Sequence, residues 1–256
     1  MWYTVLVKFH VTQEAAKMQV HVYETAAQVG QAAATLFAAQ IIQKPDSVFG
    51  LATGSSPVGC YRQLIAWHQA GVLDFSKCVS YNLDEYCGLP EEHPCSYHAF
   101  MNENLFQHIS MKAHYVPDGN AADPEAECLR YDAAIRQAGG IDIQLLGIGR
   151  NGHIGFNEPS DHFSDGTQIV RLTQSTISAN RRFFAREEDV PRQAVSLGVG
   201  GIMAARQIVL IAMGAEKAAA VRDMLHGEIT PRVPASILRM HKNAVALLDK
   251  AAASLL

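Results

Sequence analysis

The sequence predicts an α/β, Rossmann-like doubly wound fold: a mainly parallel sheet with helices on both faces. Three observations lead there. Short apolar runs recur at residues 47–52, 78–83, 141–146 and 207–213, as strands buried on both faces require. Stretches long enough for helices lie between them. Glycine turns at Gly54, at residues 147–155 and at Gly214 follow strand ends, which is where such sheets bind ligands.

The elements can be taken in order. Residues 19–23 alternate polar and apolar, as a strand does. Thr25 is placed to cap an Ala-rich helix running to about Gln43. Residues 47–52 form a strand, and a helix over 57–70 opens on Pro57, whose missing N–H is no loss in a first turn. A strand at 78–83 and helices at 96–108 and 124–138 precede the strands at 141–146 and 168–172. A helical run at 178–184, a strand at 207–213, a helix at 215–226 and a last strand at 244–248 complete the chain.

Length and composition bound the rest. A chain of 256 residues with 48% apolar content suits one large domain with a sizeable core. We expect that domain over 18–256, with a lid near 160–190 where 160–167 is rich in Ser, Asp and Gly. Residues 1–17 fit the pattern poorly and read as an extension, either an extra edge strand or sequence upstream of a second start at Met18. A net charge of −4 without a basic stripe argues against a nucleic-acid partner. No apolar stretch approaches a membrane span, and the N-terminus lacks a secretion signal, so we expect a cytoplasmic protein with no membrane partner. Cysteines 60, 78, 87, 95 and 128 are odd in number and lack paired spacing, which fits a reducing compartment. His93, Cys95 and His98 read as ordinary loop and helix residues, so no metal is expected.

Four segments carry chemistry. In Thr53-Gly54-Ser55-Ser56-Pro57 a strand ends, the chain turns and a helix begins. Free N–H groups and the helix dipole make that a phosphate cradle, unless Ser55 or Ser56 simply caps the helix. Asp84 and Glu85 are adjacent carboxylates past a strand, and one of them suits a general base. The stretch 147–159 places Asn151, His153 and Glu158 in a glycine-rich turn: an orienting amide, a base that titrates near neutrality and a carboxylate. Arg182 and Lys217 supply cations that a phosphate would attract. Together they suggest proton transfer on a phosphorylated small molecule without a redox cofactor.

These motifs, with Ser96-Tyr97-His98-Ala99-Phe100-Met101, Ala179-Asn180-Arg181-Arg182-Phe183-Phe184, the turn at Gly198-Val199-Gly200-Gly201 and Val233-Pro234-Ala235-Ser236, run in order over roughly residues 18–250. In that order they resemble the isomerising glucosamine-6-phosphate deaminase family of the sugar-phosphate isomerase/deaminase superfamily. The resemblance implies an enzyme of hydrolase class that converts glucosamine 6-phosphate and water to fructose 6-phosphate and ammonia, with no cofactor. It implies catalytic roles for Asp84, Asn151, His153 and Glu158, and phosphate binding by Thr53, Gly54, Ser55, Ser56, Arg182 and Lys217. Some family members carry Asp where this chain has Asn151, so a shifted pH profile is expected. The allosteric hexamers of the family carry a basic patch after the Glu-Pro motif, and residues 161–170 here hold no Lys or Arg. A monomer or small homo-oligomer without effector activation is therefore expected. The alternatives are a galactosamine-6-phosphate deaminase/isomerase, a 6-phosphogluconolactonase and a non-catalytic sugar-phosphate sensor.

Overall fold

The structure is a computed structural model and describes residues 18–256. The expected extension at 1–17 lies outside the described residues. Ten strands and seven α-helices follow in chain order: β1 (Gln19–Tyr23), α1 (Ala26–Gln43), β2 (Val48–Leu51), α2 (Val58–Gln69), β3 (Val79–Asn82), β4 (Asp84–Tyr86), α3 (Tyr97–Asn104), β5 (Ala113–Tyr115), α4 (Pro124–Gln137), β6 (Ile143–Leu146), β7 (Gln168–Arg171), α5 (Gln174–Asn180), β8 (Gln193–Ser196), α6 (Val199–Met203), β9 (Gln207–Ala212), α7 (Ala218–His226) and β10 (Ala244–Asp249).

Seven strands make one sheet in the order β1-β10-β9-β6-β2-β3-β5, and every pairing in it is parallel. Alternation fills both faces. Phe49, Leu51, Ile143, Leu145, Val209 and Ile211 pack with α1, α2 and α3 on one side, while Leu146, Ile208, Leu210 and Leu248 pack with α4, α6 and α7 on the other. Continuous apolar runs are the consequence, since successive side chains enter different cores. Helix α1 starts where the sequence places it, because Thr25 and Gln28 form a reciprocal capping box.

The chain leaves β2 toward β3 and β5, then returns to β6 on the other side of β2. The order of strands therefore reverses between β2 and β6, which opens a crevice at their carboxyl ends. There the turns meet: a methyl group added to Gly147 would lie 4.0 Å from Ser56 Oγ.

Several elements differ from expectation. The acidic Asp84–Tyr86 segment is a strand, and with β7 and β8 it forms a separate antiparallel sheet in the order β4-β8-β7. The strand at 168–171 belongs to that small sheet and not to the parallel one. The expected turn at 198–201 is the start of α6. These pieces are three to five residues long and too short for a periodic signal. Residues 164–167 of the expected lid are fastened. Ser164 Oγ donates to Asn157 Oδ1, Gly200 and Gly201 donate to the Ser164 and Asp165 carbonyls, and Thr167 Oγ1 donates to Asp132.

Candidate active site

The turn after β2 is the first wall. Helix α2 begins without a side-chain cap, so Ser55 and Ser56 are not used as capping residues. Gly54 takes φ +86°, a left-handed conformation that glycine adopts without strain. Ser55 Oγ instead lies 3.5 Å from a guanidinium nitrogen of Arg182. That arginine sits in a 3-10 turn, Arg181–Phe183, which follows α5 where the sequence suggests one continuous helix, and its guanidinium lies 4.7 Å from the Phe183 ring centroid. Lys217 Nζ donates to the Ile148 carbonyl at 2.7 Å, tying the start of the last helix to the glycine-rich turn. Burial lowers the proton affinity of Lys217; Glu216 opposes this, and the charges of Arg150 and Arg182 add to it. Among the described residues neither Arg182, Arg150 nor Lys217 forms a salt bridge with a carboxylate. Cations crowded without counter-ions await an anion. Arg150 was not singled out in the sequence, and its position inside the Gly-Ile-Gly-Arg-Asn-Gly turn was the available signal.

The turn after β6 is the second wall. His153 packs its ring flat on Gly149, where an added methyl group would fall 2.4 Å from the imidazole. Only glycine permits that approach. Asn151 links the group: its Nδ2 donates to Glu158 Oε2 at 2.7 Å and its Oδ1 accepts from His153 N at 3.3 Å. His153 Nδ1 lies 3.4 Å from Glu158 Oε2, close enough for charge attraction but outside good hydrogen-bond geometry. Glu158 Oε1 accepts from the Thr173 backbone and hydroxyl and from the Thr176 hydroxyl. Burial pushes Glu158 up, but His153 and the Thr176 and Asn151 hydrogen bonds outweigh it and hold the carboxyl at about 2. Thr173 and Thr176 were not foreseen as its partners. Thr173 is also the N-cap of α5, and a threonine ahead of a helical run is a legible sign.

The two neighbouring carboxylates separate cleanly. Glu85 is 3% exposed and fully engaged, accepting from the backbones of Tyr86, Tyr97 and His98 and facing His98 Nδ1 at 3.2 Å. Asp84 is 5% exposed and has no hydrogen-bond partner among the described residues. It lies beside Gly155, where an added methyl group would be 3.6 Å from Asp84 Oδ2. Burial pushes the Asp84 carboxyl up to about 8, and the Glu85 charge adds to this. A general base at Asp84 is therefore ionised against its surroundings, which favour the protonated form. Buried Asp142 is the contrast, met by Lys44 at 2.7 Å, Arg206 at 3.2 Å and the Val48 N–H. Tyr97, Tyr86 and Phe156 pack around the Asp84 side of the site, with Tyr97 stacked on Phe156 at 5.9 Å.

Every residue foreseen as catalytic or phosphate-binding therefore lies at the carboxyl ends of β2, β3, β6 and β9 or on the segment facing them. Among the described residues no group of three His, Cys, Asp or Glu side chains is arranged for a metal ion, and no helix is long and apolar enough to cross a membrane.

A model of the family described as glucosamine-6-phosphate isomerases/6-phosphogluconolactonase matches residues 21–247. The glucosamine-6-phosphate deaminase of Clostridioides difficile (strain 630) is 53% identical over 224 residues, 87% of this chain and 90% of that one. The glucosamine-6-phosphate deaminase of Cellvibrio japonicus (strain Ueda107) is 51% identical over 239 residues, 93% of this chain and 91% of that one. A solved structure described as a monomeric glucosamine-6-phosphate deaminase matches at TM-score 0.91 and 46% identity, covering 93% of this chain and 100% of its own. These names correct one expectation: the relatives are deaminases and the family description names isomerases, so deaminase/isomerase replaces the hydrolase class. The chain belongs to the glucosamine-6-phosphate isomerase/6-phosphogluconolactonase family.

Proposed function

We propose that this protein is a glucosamine-6-phosphate deaminase, releasing ammonia from glucosamine 6-phosphate as fructose 6-phosphate forms. The observation that carries the reading is Asp84: a buried carboxyl without a hydrogen-bond partner, beside the turn that bears His153.

The steps follow from the groups present. The phosphate rests on the turn from Thr53 and Gly54 to Ser55 and Ser56, with Arg182 and Lys217 against it. Anchoring that end uses binding energy to position carbons that the phosphate does not touch. His153 moves the proton from the C1 hydroxyl to the ring oxygen, which opens the sugar. Glu158 and Asn151 hold His153 in place. Asp84 then takes the proton from C2 and returns it to C1 through an enolamine. Water adds at C2 of the resulting iminium, and ammonia leaves as the ketone forms.

The substrate helps to ready its own base. A protonated amine at C2 brought beside Asp84 favours the carboxylate and opposes the upward push of burial. We place the enzyme in the cytoplasm as a monomer or small homo-oligomer that needs no cofactor, with the segment near 160–190 as its lid; since 164–167 is anchored, the moving part is the stretch that carries Arg182.

The test is ammonia release by purified protein from glucosamine 6-phosphate, with galactosamine 6-phosphate and Asp84→Asn in parallel. Turnover of the gluco sugar that falls by on the order of a hundredfold or more in the variant supports the reading. Turnover of the galacto sugar alone changes the substrate, and binding without ammonia overturns the enzyme.

A further inference from the structure

Glu85 is buried beside the proton carrier, yet the mechanism above gives it no step. Its surroundings are built with care. Helix α3 begins at Tyr97, capped by Ser96, and points its first free N–H groups at Glu85. His98, on the same first turn, places Nδ1 3.2 Å from Glu85 Oε2 and Nε2 3.8 Å from Glu91 Oε1. Glu85 thus has three backbone donors and a histidine around its carboxylate oxygens. Asp84 is the opposite case, with no donor and an adjacent negative charge.

We propose that Glu85 and His98 form a positioning pair for Asp84: the Glu85 carboxylate, held at the start of α3, sits on the residue next to the buried Asp84 carboxyl, and His98 sets how much of that charge Asp84 feels. When His98 is protonated, the pair is close to neutral and Asp84 ionises more easily. When His98 is neutral, the Glu85 charge acts in full. The inference rests on the reading of Asp84 as the proton carrier.

The groups facing this cluster support the direction. Burial lowers His98, but Glu85, Glu91 and Asp118 outweigh it and raise the ring above the ordinary histidine value. His114 on β5 faces His98 from the other side, and burial together with the His98 charge lowers its proton affinity, so it favours the neutral ring. Cys87 faces Glu85. Around Asp84 stand Tyr61, Tyr86, Tyr97 and Tyr131, whose phenols burial raises further above their ordinary value of 10. None of these supplies a positive charge to Asp84, so the state of the Glu85–His98 pair is the variable.

The test follows the Asp84 carboxyl resonance in isotope-labelled protein without substrate, assigned by its loss in Asp84→Asn, alongside the pH profile of kcat/KM. Glu85→Gln lowers the Asp84 midpoint by roughly one pH unit. His98→Gln, which keeps a donor to Glu85 but no charge, raises it. The acid limb of kcat/KM moves in the same directions. Any other result in either variant overturns the part assigned to that residue, and a uniform loss of rate with superimposable profiles marks a structural role. If Glu85→Gln does not fold, His98→Gln still tests the pair. Because the resonance is read without turnover, a failure of the deaminase reading is told apart from a failure of this one.

Discussion

Asp84 makes the protein less stable as pH rises, and its replacement exposes the effect. An ordinary aspartate titrates near 3.8, whereas burial and Glu85 hold this one at about 8. Between those values the unfolded chain has released its proton and the native protein has not. The native state therefore binds more protons, and stability falls by about 1.4 kcal/mol per pH unit through that window. Below pH 4 the penalty is absent, and above pH 8 it is complete, at roughly 4 to 6 kcal/mol after allowing for water penetration. This is a large part of the 5–15 kcal/mol that about such a domain has in total. Asp84→Asn removes the titrating group at nearly constant shape. In urea unfolding, its stability relative to the wild type grows by about 4 kcal/mol between pH 5 and pH 8 and then levels off. The m-value stays the same. A stability difference that does not change with pH, or that shrinks as pH rises, refutes the reasoning. Activity moves the other way, since the more stable variant lacks the base.

Four further outcomes follow. Arg182→Ala and Lys217→Ala each raise KM by about ten- to a hundredfold, and weaken inhibition by inorganic phosphate in parallel, with a smaller change in kcat; inhibition that stays intact removes these residues from the phosphate site. Glu158, held at about 2 against an ordinary 4.5, stabilises the fold above pH 4.5 by about 3 kcal/mol, lost as pH falls toward 2; Glu158→Gln flattens that acid decline, measured by unfolding at pH 3 and pH 7. Asn151→Asp replaces a donated hydrogen bond of 2.7 Å with facing carboxylates and raises the lower limb of the pH profile by on the order of two units, read from kcat against pH. N-acetylglucosamine 6-phosphate leaves the rate at subsaturating substrate unchanged, because residues 161–170 offer no cation for it; a clear rise overturns that.

The parallel sheet was legible because its strands enter two cores, and runs such as residues 141–146 and 207–213 have no other use. Thr25 announced a helix start for a local reason that no distant residue alters, and the structure adds Gln28 as its reciprocal partner. The small sheet was hidden. Asp84–Tyr86 reads as a polar loop, and only pairing with Gln193–Ser196, more than a hundred residues away, makes it a strand. The site's residues were visible as types, but their states were not. Asp84 and Glu85 look alike in the sequence, and the N-terminus of α3 decides which is engaged. Similarly, Ser55 and Ser56 look like helix caps until the helix is seen to start without one.

The division into two sheets has a mechanical consequence. Asp84 begins the small antiparallel sheet, whereas the Ser55 turn and Lys217 end strands of the large parallel one. Under the proposed function, a bound sugar phosphate reaches from the turns of the large sheet to Asp84 on the small one, with Arg182 meeting its phosphate from the segment after β7. Its six carbons set the spacing. Inorganic phosphate or a free amino sugar spans only part of that distance, so under the proposed function the intact substrate ties the two sheets together in a way that the two fragments do not.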